Sequence, residues 1–226
     1  MKIIAHRGNH AAAGENTLKS FSNALRAGVD GIELDVQLTL DRIPVVIHDA
    51  RVNRTTNGRG LVSRTSFREL ETLDAGNGEH IPSLFQALSL IGSKAHAYIE
   101  LKNGVGGNEL FVAQSVLDAK QIETVTFISF DHSAIDRIKD LGLKCTLGYS
   151  YGFFIPDLNE LNNIEVIVPR HNFVTKNLVS IAHSRGIEVI AWTVDDVRKA
   201  VKLEKMGVDG IITNHSERMI NALRRL

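Results

Sequence analysis

Four short stretches of this chain end a β-branched run with residues capable of acid–base or metal chemistry. "IIAHRG" carries His6 and Arg7, "GIELDV" carries Glu33 and Asp35, "VVIHD" carries His48, and "AYIELK" carries Glu100 and Lys102. Successive strand residues point to opposite faces, so Glu33 and Asp35 project together, as do Glu100 and Lys102. Three carboxylates crowded into a partly desolvated pocket repel one another unless a cation binds or some of them protonate. An all-oxygen set without Cys favours a hard divalent ion, Mg²⁺ or Ca²⁺. His6 and His48 supply one general base and one general acid. Arg7 and Lys102 are cations suited to a phosphoryl oxygen, Arg through its planar fork and Lys as a point charge. A metal, two imidazoles and two cations together describe phosphate-ester chemistry. The alternative is structural: the acids pair with Arg7 and Lys102 in a network, and each histidine is simply hydrogen-bonded at a strand end.

For these residues to meet, the strand ends must lie on one face. Short apolar runs ("IIAH", "GIELDV", "PVVIHD", "AYIEL", "TFISF", "TLGY", "VIVP", "VIAW", "GIIT") alternate with stretches of helical period. That rhythm argues a parallel sheet with crossover helices. Helices over 133–141 and 178–185 run into Gly142 and Gly186, the expected stop residue. No dinucleotide fingerprint and no break into halves is present, so the prediction is an α/β fold, one domain over residues 1–226 forming a single (β/α)₈ TIM-type barrel. In that fold the C-terminal strand ends share the face on which active sites lie. Nine strand-like segments stand where a barrel needs eight, and "VQLTLDRIPVV" is too short to hold a crossover helix. An excursion is expected there, running down after Asp35 and back up from Pro44. Residues 49–82 break the rhythm and read as a small loop-rich insertion after the third strand, over the barrel mouth.

Composition bounds the rest. Lys plus Arg and Asp plus Glu both number 26, so no net field draws the chain to nucleic acid or an anionic membrane. Cys145 is the only cysteine, which excludes an internal disulfide. Met1 leads straight into the first strand and no apolar run approaches bilayer length, so the expectation is a cytoplasmic protein without stable membrane association.

The motifs "HRG" with "ENT", "GIELDVQLT", "VVIHD", "NRTTNG", "IELK", "SF", "AWTVDD" and "DGIITN" occur in an order that resembles the glycerophosphodiester phosphodiesterase family over practically the whole chain, in its short cytosolic branch. The resemblance implies a barrel that hydrolyses small glycerophosphodiesters to an alcohol and sn-glycerol 3-phosphate. It implies a divalent cation, Mg²⁺ or Ca²⁺, held by Glu33, Asp35 and Glu100, with His6 and His48 as acid and base. Attack by the glycerol hydroxyl through a cyclic phosphate and direct attack by water both fit. Glu15, in "ENT", either supports His6 or Arg7 by a hydrogen bond or is a first-turn helix acid. Two departures from the family pattern stand out. Gly14 replaces the usual Pro before "ENT", expected to loosen the loop 9–14. "TNHSE" replaces an acidic residue followed by Pro, at a strand end expected to abut Arg7.

Aromatic residues complete the candidate site. Trp192 in "IAWT" is placed by the resemblance as a wall against glycerol carbons, and Phe130 after Ser129 is either core or a ligand platform. Phe153 and Phe154 in "YGFFIP" form an apolar patch that covers substrate or meets a second copy in a homodimer. His171 reads as structural. Two rival functions stay open: a phospholipase C- or D-like lipid phosphodiesterase, which needs an exposed apolar rim, and a non-catalytic phosphodiester-binding barrel, which would have lost a histidine or metal ligand.

Overall fold

The computed structural model describes residues 1–224 apart from Ala12, 154–157, 159–160 and 162–163; Phe154 therefore lies outside the described residues. In chain order the elements are β1 (Lys2–His6), α1 (Leu18–Ala27), β2 (Gly31–Leu38), β3 (Pro44–Val46), α2 (Phe67–Leu70), α3 (Leu84–Ile91), β4 (His96–Leu101), α4 (Glu109–Asp118), β5 (Val125–Ser129), α5 (His132–Asp140), β6 (Thr146–Tyr151), β7 (Val166–Pro169), α6 (Lys176–Ser184), β8 (Glu188–Ala191), α7 (Val197–Glu204), β9 (Gly210–Thr213) and α8 (Ser216–Leu223). All strands but β3 pair in parallel, and β1 joins both β9 and β2, which closes an eight-stranded barrel. The TIM-type (β/α)₈ fold is thus present.

The barrel follows from the period of two along each strand. Ile3, Leu34, Ile99, Phe127 and Ile211 face outward and are buried under the amphipathic helices. Their neighbours Ile4, Tyr98, Ile128, Ile190 and Ile212 face inward and fill the barrel with Val166 and Val168. Two residues further along, on the same inward face, stand His6, Glu100, Phe130, Trp192 and Asn214. The site is the layer at which the inward row changes from aliphatic to polar and aromatic.

Helix ends carry the expected signals. Thr17 caps α1, its hydroxyl accepting from the Ser20 amide at 3.2 Å. Gly142 and Gly186 take left-handed φ angles of 68° and 72° one residue beyond the caps of α5 and α6, which start and stop a residue or two before the predicted bounds.

The ninth strand is the excursion, but it runs the other way. β2 continues past Asp35 to Leu38, beyond the end of its neighbour β4, and β3 returns antiparallel, Val46 opposite Val36. Without room for a crossover helix the chain can only double back, which sets Ile47 against Asp35 (amide to carbonyl, 2.9 Å) and delivers His48 to the barrel mouth. The "IHD" segment therefore does not end a barrel strand. The stretch 49–82 contains α2 and a small apolar cluster of Val52, Val62, Leu70 and Ile81 built on Val45 and Ile47.

Candidate active site

β1 ends in an abrupt turn: Arg7 has a left-handed φ of 56° and Gly8 one of 81°. A non-glycine residue in that region is strained, and here the strain is held by the Arg7 amide, which donates to the Glu33 carbonyl (2.9 Å) and to Glu33 Oε2 (3.1 Å). The turn brings Arg7 Nε to 3.1 Å from Asp35 Oδ2. Lys102 Nζ approaches Asp35 Oδ1 at 2.8 Å and Glu100 Oε1 at 2.5 Å. Asn16, in "ENT", donates to Asp35 Oδ2 at 2.8 Å.

Glu33, Asp35 and Glu100 each place a carboxylate oxygen within 4.8 Å of the others. Burial pushes Glu33 well above the usual carboxylate range, with the charges of Asp35 and Glu100 adding to it. Burial also raises Glu100. At Asp35 burial is outweighed by Lys102 and Arg7, and the carboxyl is held low. The structural and metal readings of the acids therefore coexist: Asp35 and Glu100 are paired, while Glu33 Oε1 is buried with no hydrogen-bond partner. Counting Glu15 and Asp49, five carboxylates meet the three bases Arg7, Arg54 and Lys102, a formal deficit of two positive charges. An orphaned carboxylate oxygen, an oxygen-only donor set and that deficit fit a hard divalent cation.

The histidines flank the acids. His6 Nε2 lies 3.9 Å from Glu33 Oε2, and its Nδ1 donates to Asn214 Oδ1 at 2.7 Å. Desolvation, reinforced by Arg7, lowers the His6 pKa to about 4, so its imidazole is neutral at pH 7. His48 stands close enough to Asp35 and Glu100 to act on both, adding to the pull of Lys102 and Arg7 on Asp35 and opposing only in small part the rise that burial imposes on Glu100. Its Nδ1 donates to Asp49 Oδ1 at 2.6 Å.

A pocket opens beside these groups, lined by His6, Glu33, Glu100, Phe130 and Trp192, with Ile128, Ser150, Val168 and Ile212 also on its wall. Phe130 is a half-exposed platform, its ring edge-on to Trp192 at 5.3 Å, and Trp192 Nε1 is anchored to the Tyr151 carbonyl. His48 lines a separate small cavity with Glu15 and Asn16. Phe153 is 84% exposed.

Glu15 does bond Arg7, Oε1 accepting from Nη1 at 2.9 Å, and it precedes α1 rather than lying in its first turn. Arg54 clasps the same carboxylate with two bonds of 2.8 and 2.9 Å and reaches Asp49 with Nε at 2.7 Å. Burial would raise Glu15, but Arg54 and Arg7 bring it down to about 2. Asp49, Arg54, Asn16, Asn214 and Asp195 are supports to which sequence reasoning gave no role, although each lies in one of the motifs "VVIHD", "NRTTNG", "ENT", "DGIITN" and "AWTVDD". Gly14 has a steric reason, since a Cβ there would lie 2.2 Å from the Ala75 carbonyl oxygen. The "TNHSE" strand end, expected beside Arg7, bonds the residue before it, His6, through Asn214.

Known proteins share this arrangement at the level of fold and sequence. The model of the Glycerophosphoryl diester phosphodiesterase family matches residues 6–147 and 155–218. A glycerophosphodiester phosphodiesterase of Caldanaerobacter subterraneus subsp. tengcongensis is 37% identical over 99% of this chain and 98% of its own length. A putative glycerophosphodiester phosphodiesterase of Bacillus subtilis is 35% identical over 97% of each. Among solved structures, an Oleispira antarctica phosphodiesterase in complex with the product sn-glycerol-3-phosphate superposes with a TM-score of 0.90 at 32% identity, over 99% of this chain and 97% of that one. The match of both sequence and barrel over nearly the full length places this chain in the glycerophosphoryl diester phosphodiesterase family.

Proposed function

We propose that this protein hydrolyses small glycerophosphodiesters to an alcohol and sn-glycerol 3-phosphate, with Glu33, Asp35 and Glu100 holding Mg²⁺ or Ca²⁺ and with His6 and His48 moving the protons. The observation that carries this reading is the orphaned, buried Glu33 oxygen within a triad of acids that two histidines flank. When bound, the cation supplies charge stabilisation for the phosphoryl oxygen.

His6 is the base. Its Nδ1 is bonded to Asn214, its Nε2 faces the pocket, and it is neutral at pH 7, so it can take a proton from a hydroxyl that attacks phosphorus. His48 carries a carboxylate, Asp49, on its far nitrogen, the partner a proton-donating imidazolium needs while the alcohol leaves. The free hydroxyl next to the phosphoester is a ready nucleophile; water is the competing one, and the cyclic phosphate formed only by the first route distinguishes them. Arg7 and Lys102 keep Asp35 ionised, and their remaining donors meet a phosphoryl oxygen entering beside the acids. Phe130 and Trp192 offer the apolar wall for glycerol carbons, on the pocket that His6, Glu33 and Glu100 also line.

No helix among the described residues is long and apolar enough to cross a membrane. We place the enzyme in the cytoplasm on small, dissolved substrates, with Phe153 over the alcohol side. The test is product identification from a panel of glycerophosphodiesters and from phospholipid vesicles. Release of sn-glycerol 3-phosphate from the dissolved diesters, with vesicles left intact, is expected; comparable cleavage of the vesicles would favour the lipid phosphodiesterase reading. A sizing column run on Phe153→Ser decides between a substrate cover and a contact with a second copy.

A further inference from the structure

His6 can act as the base described above only if its proton sits on the far nitrogen, and the residues behind it decide that. Its Nδ1 stands 2.7 Å from Asn214 Oδ1. An amide has an accepting end and a donating end of nearly the same shape, so the end that faces His6 decides which ring nitrogen is protonated. Asp195 fixes the choice. Its Oδ2 accepts from Asn214 Nδ2 at 2.8 Å, while its Oδ1 accepts from the Asn214 backbone amide at 2.8 Å and the Thr213 hydroxyl at 3.0 Å. A carboxylate only accepts, so the NH₂ group must face Asp195 and the oxygen is left for His6. Burial would raise the Asp195 carboxyl, but the Asn214 and Thr213 hydrogen bonds hold it below its usual range, so it is an acceptor at neutral pH.

We infer that Asp195 and Asn214 are a positioning pair that fixes the proton of His6 on Nδ1 and so presents the Nε2 lone pair to the pocket. The inference rests on the proposed role of His6 as base. The barrel builds the pair across three adjacent strands: Asp195 follows β8, Thr213 ends β9 with Asn214 directly after it, and His6 ends β1. His10 Nε2 lies 3.3 Å from the same amide oxygen, so that oxygen serves two imidazoles. An amide also orients the ring without adding another negative charge beside Glu33, Asp35 and Glu100.

The test reads the tautomer directly. In protein labelled with ¹⁵N in its histidine rings, the long-range ¹H–¹⁵N spectrum of His6 above pH 7 should show a protonated Nδ1 and a bare Nε2. Asp195→Asn gives Asn214 a neighbour that can accept or donate, so its amide is free to turn. Mixed tautomers are expected, with kcat lower by about 10- to 100-fold and KM within about twofold. The double exchange Asp195→Asn with Asn214→Asp swaps amide and acid: the bond between the two side chains reverses, the amide at 195 now donating to the carboxylate at 214, while position 214 still presents His6 with an acceptor for Nδ1. It should restore the single tautomer and recover most of kcat, which a merely structural role does not predict. A His6 protonated on Nε2 in the wild type would overturn the inference. So would an Asp195→Asn variant that keeps one tautomer and full kcat, or a double exchange no better than the single. The spectra need no substrate, so a wild type that shows the expected tautomer yet hydrolyses no glycerophosphodiester would refute the function and leave the positioning intact.

Discussion

His6 ends a barrel strand and leans on the uncharged amide of the neighbouring strand, whereas His48 arrives on an antiparallel return and leans on a carboxylate at the start of the stretch 49–82. The first arrangement is dry: the His6 side chain is 17% exposed, and Thr213 behind it is fully buried. The second is wet, with the His48 side chain at 34% and Arg54, which ties Asp49 to Glu15, at 48%. Dry support works through the direction of hydrogen bonds and is insensitive to salt, while wet support works through screened ion pairs. Two imidazoles over one acidic triad are therefore held by different physics, and perturbations that touch one need not touch the other.

The largest effects come from deleting the imidazoles themselves. His6→Ala and His48→Ala should each lower kcat by about 10²- to 10⁴-fold while folding and metal affinity stay nearly intact. The double variant should lose much less than the product, because both act on one proton path. Wild-type kcat in either single variant, measured at saturating substrate, would make that histidine structural.

Neutralising the shared centre removes what both halves serve. Glu33→Gln, Asp35→Asn and Glu100→Gln should weaken Mg²⁺ or Ca²⁺ binding and activity together. Stabilisation worth several kcal/mol corresponds to about 10²-fold or more in rate. Calorimetric titration showing unchanged affinity in all three variants would dismiss the triad as a metal site.

Arg54→Ala separates the halves. It releases Asp49 and half of the grip on Glu15, and should cost about 10-fold in kcat, as loss of an orienting partner does. The wild type should approach the variant as ionic strength rises, whereas Asp195→Asn should show no such convergence. Equal salt dependence in the two variants would erase the contrast between dry and wet support.

The smallest effects are in stability, and they fall in separate pH windows. The folded pKa of His6 is depressed to about 4 from 6.5, so its contribution is whole above about pH 6.5 and is lost as pH falls to about 4. Glu15 is depressed to about 2 from 4.5, so its contribution is whole above about pH 4.5 and is lost toward pH 2. The Glu15 contribution is at most about 2 kcal/mol, since solvent screens its pair with Arg54. Urea titrations of metal-free protein should show Glu15→Gln flattening only the lower window and His6→Gln only the upper.

Much of this was legible in the chain because the signals are local. The period of two that sends Ile4 and His6, or Tyr98 and Glu100, to one face is written in consecutive residues, as are the glycine stops after α5 and α6. The supports were not legible, because each looks like an ordinary turn residue and, apart from Asp49 beside His48, meets a remote partner: Arg54 meets Glu15 across 39 positions and Asn214 meets His6 across 208. For Lys102 and Arg7 the sequence left open whether they meet phosphate or pair with the acids, because it shows charge but not pairing; in the fold both hold Asp35. The course of the chain between Asp35 and Pro44 was misread for a similar reason, since its shortness excludes a crossover helix but does not say which way the chain turns back.

The central claim is that these carboxylates hold a divalent cation essential to phosphodiester hydrolysis between two histidines. The most direct measurement is release of sn-glycerol 3-phosphate from a glycerophosphodiester by protein stripped with chelator, before and after Mg²⁺ or Ca²⁺ is returned. Near-complete loss, followed by recovery in the wild type but not in Glu33→Gln, is the predicted result. Undiminished hydrolysis by the stripped protein would contradict it.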